Sequence, residues 1–467
     1  MSTLKIIAVL FLFVLFFDGQ QTKNNEKWNE IYTIVENIKQ PSFPDKKFNI
    51  TDFGAVADGK ILSTKAINKA IETCNKQGGG KVIVTRGVFL TGAVHLKSNV
   101  NLVVEEGAIL KFSTNPKDYL PMVQTRWEGN DCYNYSPLIY ANNQTNIAIT
   151  GEGTIDGQAD AEHWWPWKGL RRRGDTSAPQ PSQLDPEGRP LLTKWDNTQT
   201  PLSERKMGEG HYLRPQLINF IFCKNVKIEN VTLLNSPFWV IHPLLSENII
   251  VRGVTINSHG PNSDGCDPES CKNVLIEDCV FDTGDDCIAL KSGRNFDGRR
   301  VNVPIENVLI RNCIMKDGHG GVVMGSEISA GCKNIFAENC EMSSPNLERA
   351  IRIKTNNHRG GVTDGVYIRN LTVGQVREAV VKINCSYDPR EGQGEFPPMV
   401  KNVYVSNVTS QKSEYGLSLM GIKGENCVEN IWISDSKFSG VESGNKIDYV
   451  KNLNLNNLYI NGEKTTD

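Results

Sequence analysis

The chain has 467 residues, 39% of them hydrophobic and 22% charged, with a formal net charge of −2. Apolar residues run its whole length, so it holds enough material for a large core and no low-complexity block that would stay disordered. Near-neutral charge leaves no broad basic footprint and argues against a nucleic acid as partner.

Residues 6–17 form an unbroken apolar run behind Lys5, and polar residues 18–23 follow. Crossing a bilayer takes about 20 residues, so this run is too short to span one. It reads instead as a secretory signal over residues 1–22, although Phe17, Asp18 and Gly19 make a poor small-residue cleavage site. An uncleaved N-terminal anchor is the competing reading. The expected location is therefore secreted or periplasmic, with no membrane span once the signal is gone. Residues 23–47 read as an N-terminal extension and 48–467 as a single domain.

Within that domain, residues 64–76 place Ile67, Ala70, Ile71 and Cys74 on one helical face. Ser63 or Thr64 is the expected N-cap, and Gly78-Gly79-Gly80 the stop. Short alternating phrases at 81–84, 99–105 and 145–155 then read as strands. Residues 160–215 break this rhythm with Trp164, Trp165 and Trp167, the basic run Arg171, Arg172 and Arg173, and several prolines. A long insertion among short strands is expected on a flank that binds ligand. The tryptophans are expected there as an exposed wall for stacking sugars, with core packing as the alternative.

From residue 224 one phrase recurs nine times, beginning KNVKIENVTL (224–233), ENIIVRGVTI (247–256) and KNVLIEDCVF (272–281). Each copy alternates apolar and polar residues and is broken soon after by Gly, Asn or Asp, with no helical period. Repeats made only of strands and turns predict an all-β chain, a right-handed parallel β-helix capped by the helix at 64–76. The recurring Asn is expected to stack from coil to coil at a turn and to bond to its neighbours' backbone. Cys279, Cys313 and Cys340 stand six residues after that Asn, where sister copies carry Val231, Val254, Leu371 and Val408. A Cys that trades places with Val and Leu behaves as a small buried hydrophobe, so the twelve cysteines are expected mostly as free buried thiols. No CxxC pair has zinc-site spacing, and no metal site is expected.

Four phrases stand out of the repeat: Asn262-Ser263-Asp264-Gly265, Gly284-Asp285-Asp286, Gly318-His319-Gly320 and Arg352-Ile353-Lys354. Asp264 lies 16 residues beyond Asn248, Asp285 12 beyond Asn273, His319 12 beyond Asn307 and Arg352 18 beyond Asn334. They thus fall at a similar phase of successive coils, which stack about 4.8 Å apart. Singly, each phrase reads as an ordinary turn or a solvated strand face. Together they gather three carboxylates, an imidazole and two cations on one side of the rod. Crowded carboxylates divide into a protonated and an ionised member, the pair that glycosidic cleavage needs. Arg352 and Lys354 point to one face and suit an anionic sugar.

With these four phrases in this order, the chain resembles the polygalacturonase family, glycoside hydrolase family 28. The resemblance covers nearly everything after Phe48, including the opening at 53–59, and departs where Ser263 replaces the usual Thr. It implies a right-handed parallel β-helix and single-displacement, inverting hydrolysis of α-1,4-galacturonosyl bonds in pectic polysaccharide or its oligomers, without cofactor or metal. It further implies Asp285 as general acid, Asp264 and Asp286 as the residues that hold and deprotonate water, and His319 as a group that tunes the acid. Arg352 and Lys354 would grip a galacturonate carboxylate, with Asn262 and Tyr387 as further substrate contacts. The 160–215 insertion would wall one end of the groove and favour exo action. A rhamnogalacturonan hydrolase, a calcium-dependent pectate lyase and a non-enzymatic β-helical carbohydrate-binding or adhesion protein are the rival readings. Oligomeric state is left open.

Overall fold

A computed structural model describes residues 24–169, 181–389 and 394–465. The segment read as a signal and the basic run at 171–173 lie outside these residues. From residue 224 onward every repeat phrase is a strand paired in parallel with the next. Val226, Ile249, Val274, Val308, Ile335, Val366, Val403, Ile431 and Leu453 stand in one column. Two residues further along, Ile228, Val251, Ile276, Ile310, Ala337, Ile368, Val405, Ile433 and Leu455 form a second. Side chains two apart share a face, so both columns point into the rod and are buried on all but the last rung. The result is the expected right-handed parallel β-helix.

The recurring Asn does stack, but its partner differs from expectation. The Nδ2 of Asn248 donates to the Oδ1 of Asn225 at 3.1 Å, Asn273 to Asn248 at 3.2 Å and Asn307 to Asn273 at 3.1 Å. The amides therefore bond to one another rather than to neighbouring backbone. Each of these residues has φ near +57°, a left-handed turn that Asn tolerates better than most side chains. Gly365 takes the position on one rung, with φ +78°, and there the adjacent Asp364 accepts the amide of Asn402 instead.

Two helices cover surfaces that the coils cannot cover themselves. Residues 24–36 form α1, whose Trp28, Ile31 and Val35, with Ile38 just beyond, lie on an outward apolar column of Ile250, Leu275, Leu309, Phe336 and Tyr367. The second, α2 (Thr64–Lys76), buries Ala66, Ile67, Ala70, Ile71 and Cys74 against the first coils. Its Asn68 accepts from the His95 N–H and donates to Ala93, and Asn75 donates to Ser98, which satisfies backbone groups at the open end of the rod. Ser63 is the N-cap residue of α2, as expected, and its carbonyl accepts the Ile67 N–H, but its side chain makes no capping hydrogen bond. The Ser63 hydroxyl accepts the Val56 N–H, and the Thr64 hydroxyl accepts that of Gly92.

All twelve cysteines are free and buried, as expected. The region between the strands Thr154–Asp156 and Ile218–Ile221 holds the 3-10 turn Trp165–Lys168 and α3 (Arg189–Asn197). It also holds the short strand Lys206–Met207, which extends an antiparallel hairpin of Val123–Trp127 and Asn130–Asn134. The tryptophans do not form an exposed wall. Trp164 is buried against Tyr119 and Trp167, with ring centroids 5.5 and 5.0 Å away, and Trp167 in turn packs on Tyr135 and Tyr212. Hydrophobic burial outweighs the polar sequence around them, and their work is to clamp the segment onto the coils.

Candidate active site

The strands Ile241–Leu244, Ile288–Leu290, Val322–Gly325 and Arg349–Lys354 build one strip of the rod, and the acid phrases sit at its rim. Rung-to-rung bonds fix their stacking: the Gly265 N–H donates to the Asp286 carbonyl, His319 to Asp285 and Cys287 to Gly320. A side chain at Gly320 would come within 3.2 Å of the Asp286 carboxylate and 2.5 Å of Val323, so the close approach requires glycine. Asp264, Asp285 and Asp286 thereby place carboxylate oxygens within 4.8 Å of one another. With Asn262, His319, Arg352, Lys354 and Tyr387, Asp264 and Asp285 line a cavity of about 220 Å³, and Asp286 is buried behind it. The expected residues are thus brought together.

Their charges are sorted by their neighbours. Asp286 is fully buried yet bonded by Lys354 Nζ at 2.6 Å and Arg352 Nη1 at 3.3 Å. Burial raises its pKa, but Lys354 and Arg352 outweigh it and hold the carboxyl below the ordinary range. Asp285 is likewise raised by burial and then pulled well down by the His319 ring, 2.9 Å away, and by Lys354 and Lys291. The same hydrogen bond raises His319, so the pair favours imidazolium and carboxylate. Asp264 goes the other way. Burial, then repulsion from Asp285, pushes it up to about 8, so it carries the proton of the cluster at neutral pH.

Sequence reasoning missed Lys291, which sits 3.6 Å from Asp264, 3.8 Å from Asp267 and 3.2 Å from Glu327, above the Trp239 ring. Its signal was a lysine ending the buried strand phrase Ile288-Ala289-Leu290, two coils from any other site cation. Asp267 is buried with neither carboxylate oxygen hydrogen-bonded, and burial and Asp264 keep it protonated. Arg349 donates to the carbonyl of His319, and Arg214 donates to Asn262 Oδ1 at 2.9 Å. Lys291, Arg352 and Lys354 already crowd the three carboxylates with positive charge, which a metal ion at that point would have to displace. His259, Asp282 and Asp317 form a second group of potential ligands, with Asp317 engaged by Ser344 and Asn346.

A family model described as glycosyl hydrolases family 28 matches residues 176–459, more than half of the chain. The chain belongs to this family. A probable polygalacturonase of Vitis vinifera is 31% identical over 408 residues, covering 82% of this chain and 74% of that one. An exo-poly-alpha-D-galacturonosidase of Dickeya chrysanthemi is 30% identical, covering 88% and 70%. Among solved structures, an exopolygalacturonase from Thermotoga maritima is 43% identical with a TM-score of 0.89, covering 93% of this chain and 96% of that one. No helix among the described residues is long and apolar enough to cross a membrane.

Proposed function

We propose that this family 28 hydrolase cleaves α-1,4-galacturonosyl bonds of pectic polymers from a chain end, by single displacement with inversion. The observation that carries the reading is a cluster of three carboxylates, with opposite proton affinities, set against Arg352 and Lys354. Water attacks the anomeric carbon as its glycosidic C–O bond breaks, Asp286 takes the water proton, and Asp264 orients the water. Asp285 takes a proton from the His319 imidazolium hydrogen-bonded to it and passes it to the leaving oxygen. A substrate carboxylate that engages Arg352 and Lys354 draws both cations off Asp286 and makes that group a stronger base. The oxygens lie closer than the ~6.5–9.5 Å separation usual for an inverting carboxyl pair, so the water would sit beside the cluster rather than inside it. Asn262, held by Arg214, and Tyr387, whose ring lies 5.5 Å from Arg352, complete the sugar contacts.

The relatives named for exo action support cleavage from an end, as does the segment packed at one side of the cavity. The apolar run at residues 6–17 supports export. The test is a time course on polygalacturonate and on rhamnogalacturonan with chelator present, followed by chromatography and by NMR of the first product. Saturated galacturonate monomer appearing first as the β-anomer is expected. A ladder of oligomers overturns exo action, first-formed α-anomer overturns inversion, and release from rhamnogalacturonan alone overturns the substrate.

A further inference from the structure

Lys168 ends the turn Trp165–Lys168 and lines the acid cavity. The Trp165 indole donates to the Ser236 carbonyl at 3.0 Å, and a β-carbon at Gly260 would collide with that ring at 2.1 Å. The turn is therefore clamped onto the coil that leads into Asn262 and Asp264. From the other side the Gln183 N–H holds the Trp167 carbonyl at 2.8 Å. The ammonium this clamp presents differs from its neighbours. Arg352 and Lys354 face Asp286, Lys291 faces Asp264, Asp267 and Glu327, and Arg189 faces Glu128. Among the described residues no hydrogen bond or ion pair holds the Lys168 ammonium, although burial already weighs against its charge. Glu128 and Asp285 act on it only through space, so among the described residues this half-buried cation lacks a bonded partner, a place that an anion completes.

Its position says which anion. The clamp lies on the N-terminal side of Asp264, whereas Arg352 and Lys354 stand on a strand two coils beyond Asp285 and Asp286 toward the C-terminal end. The reacting carboxylates lie between the two cationic points. We infer that Lys168 binds the carboxylate of the terminal sugar, on the opposite side of the scissile bond from the uronate held by Arg352 and Lys354. The inference rests on the galacturonosyl hydrolysis proposed above and narrows it. The bond cut must join two acidic sugars, as in galacturonan, and not a uronate and a neutral deoxy sugar, as in rhamnogalacturonan.

The experiment measures kcat/KM for digalacturonate and for its analogue with the non-reducing-end carboxylate reduced to an alcohol, using wild type, Lys168→Met and Lys168→Arg. Loss of one charge-assisted hydrogen bond predicts a fall of about 10- to 100-fold for Lys168→Met on digalacturonate. The reduced analogue should cost the wild type a similar factor, and on it Lys168→Met should lose nothing further. Lys168→Arg should keep most of the activity on digalacturonate. An equal loss for Lys168→Met on both substrates, or no loss on either, overturns the inference while leaving galacturonosyl hydrolysis standing. Absence of wild-type turnover on digalacturonate and on longer galacturonan overturns that underlying reading, and the role of Lys168 with it.

Discussion

Asp264 and Asp285 share one cavity, yet burial and like charge push the first up to about 8 while His319 and two lysines hold the second well down. A protonated carboxyl that positions the water and a carboxylate that relays the His319 proton thus stand side by side. Asp285→Asn keeps the shape but cannot relay the proton, so kcat should fall by about 10²–10⁴-fold in a protein that still folds. Wild-type turnover in that variant rejects the acid role. Asp264 also carries a stability signature. Unfolded, it titrates near ~3.9. Between there and about 8 the folded protein keeps a proton that the unfolded chain has released, so this group makes stability fall as pH rises through that window. Asp264→Asn cannot titrate. Its melting temperature should therefore gain on wild type between pH 5 and pH 8, by on the order of a few degrees. A constant difference across that range would show that Asp264 ionises normally.

The strand-and-turn repeat stabilises the fold through two devices, inward apolar columns and a ladder of amides. Asn273 donates to Asn248, accepts from Asn307 and holds φ at +57°. Asn273→Ala loses both bonds and adds left-handed strain, at a cost of about 2–4 kcal/mol, whereas Asn273→Gly escapes the strain and should cost about 1 kcal/mol less. Denaturant midpoints for the two variants check the order, and equal midpoints would remove the backbone part of the account. The sequence made the inward columns, the buried thiols and the phase of the acids readable, because a strict period of two leaves each strand only one way to face. It did not reveal what the Asn side chains bond to, since that depends on how closely coils stack. Trp164 was misread because its packing partner, Tyr119, lies 45 residues earlier and leaves no mark on the local pattern. The surface beneath α1 was readable in principle. Leu275, Leu309 and Phe336 each stand between two inward residues where a polar one would alternate, which marks an outward face that something must cover.

For the molecule as a whole, the rod closes without covalent staples. Each of the twelve thiols is buried, and even Cys427, which the hydrogen bond with Cys385 pulls down to about 7, is only 1% exposed. Iodoacetamide should label no cysteine in the native protein and all twelve in denaturant, while reductant should leave the melting temperature unchanged. Native labelling, or a drop in melting temperature on reduction, contradicts a disulfide-free core. The seat of α1 has a consequence for how the rod is made. Trp28 is among the first described residues to be synthesised, but the column it docks on runs through Phe336 to Tyr367. At about 5–20 residues per second, tens of seconds separate the two. Helix α1 must wait, its apolar side bare, until most of the coils exist. Of the described helices it is the first to be made and among the last to be seated, so a ribosome stalled before residue 336 leaves a product whose early coils lack this latch.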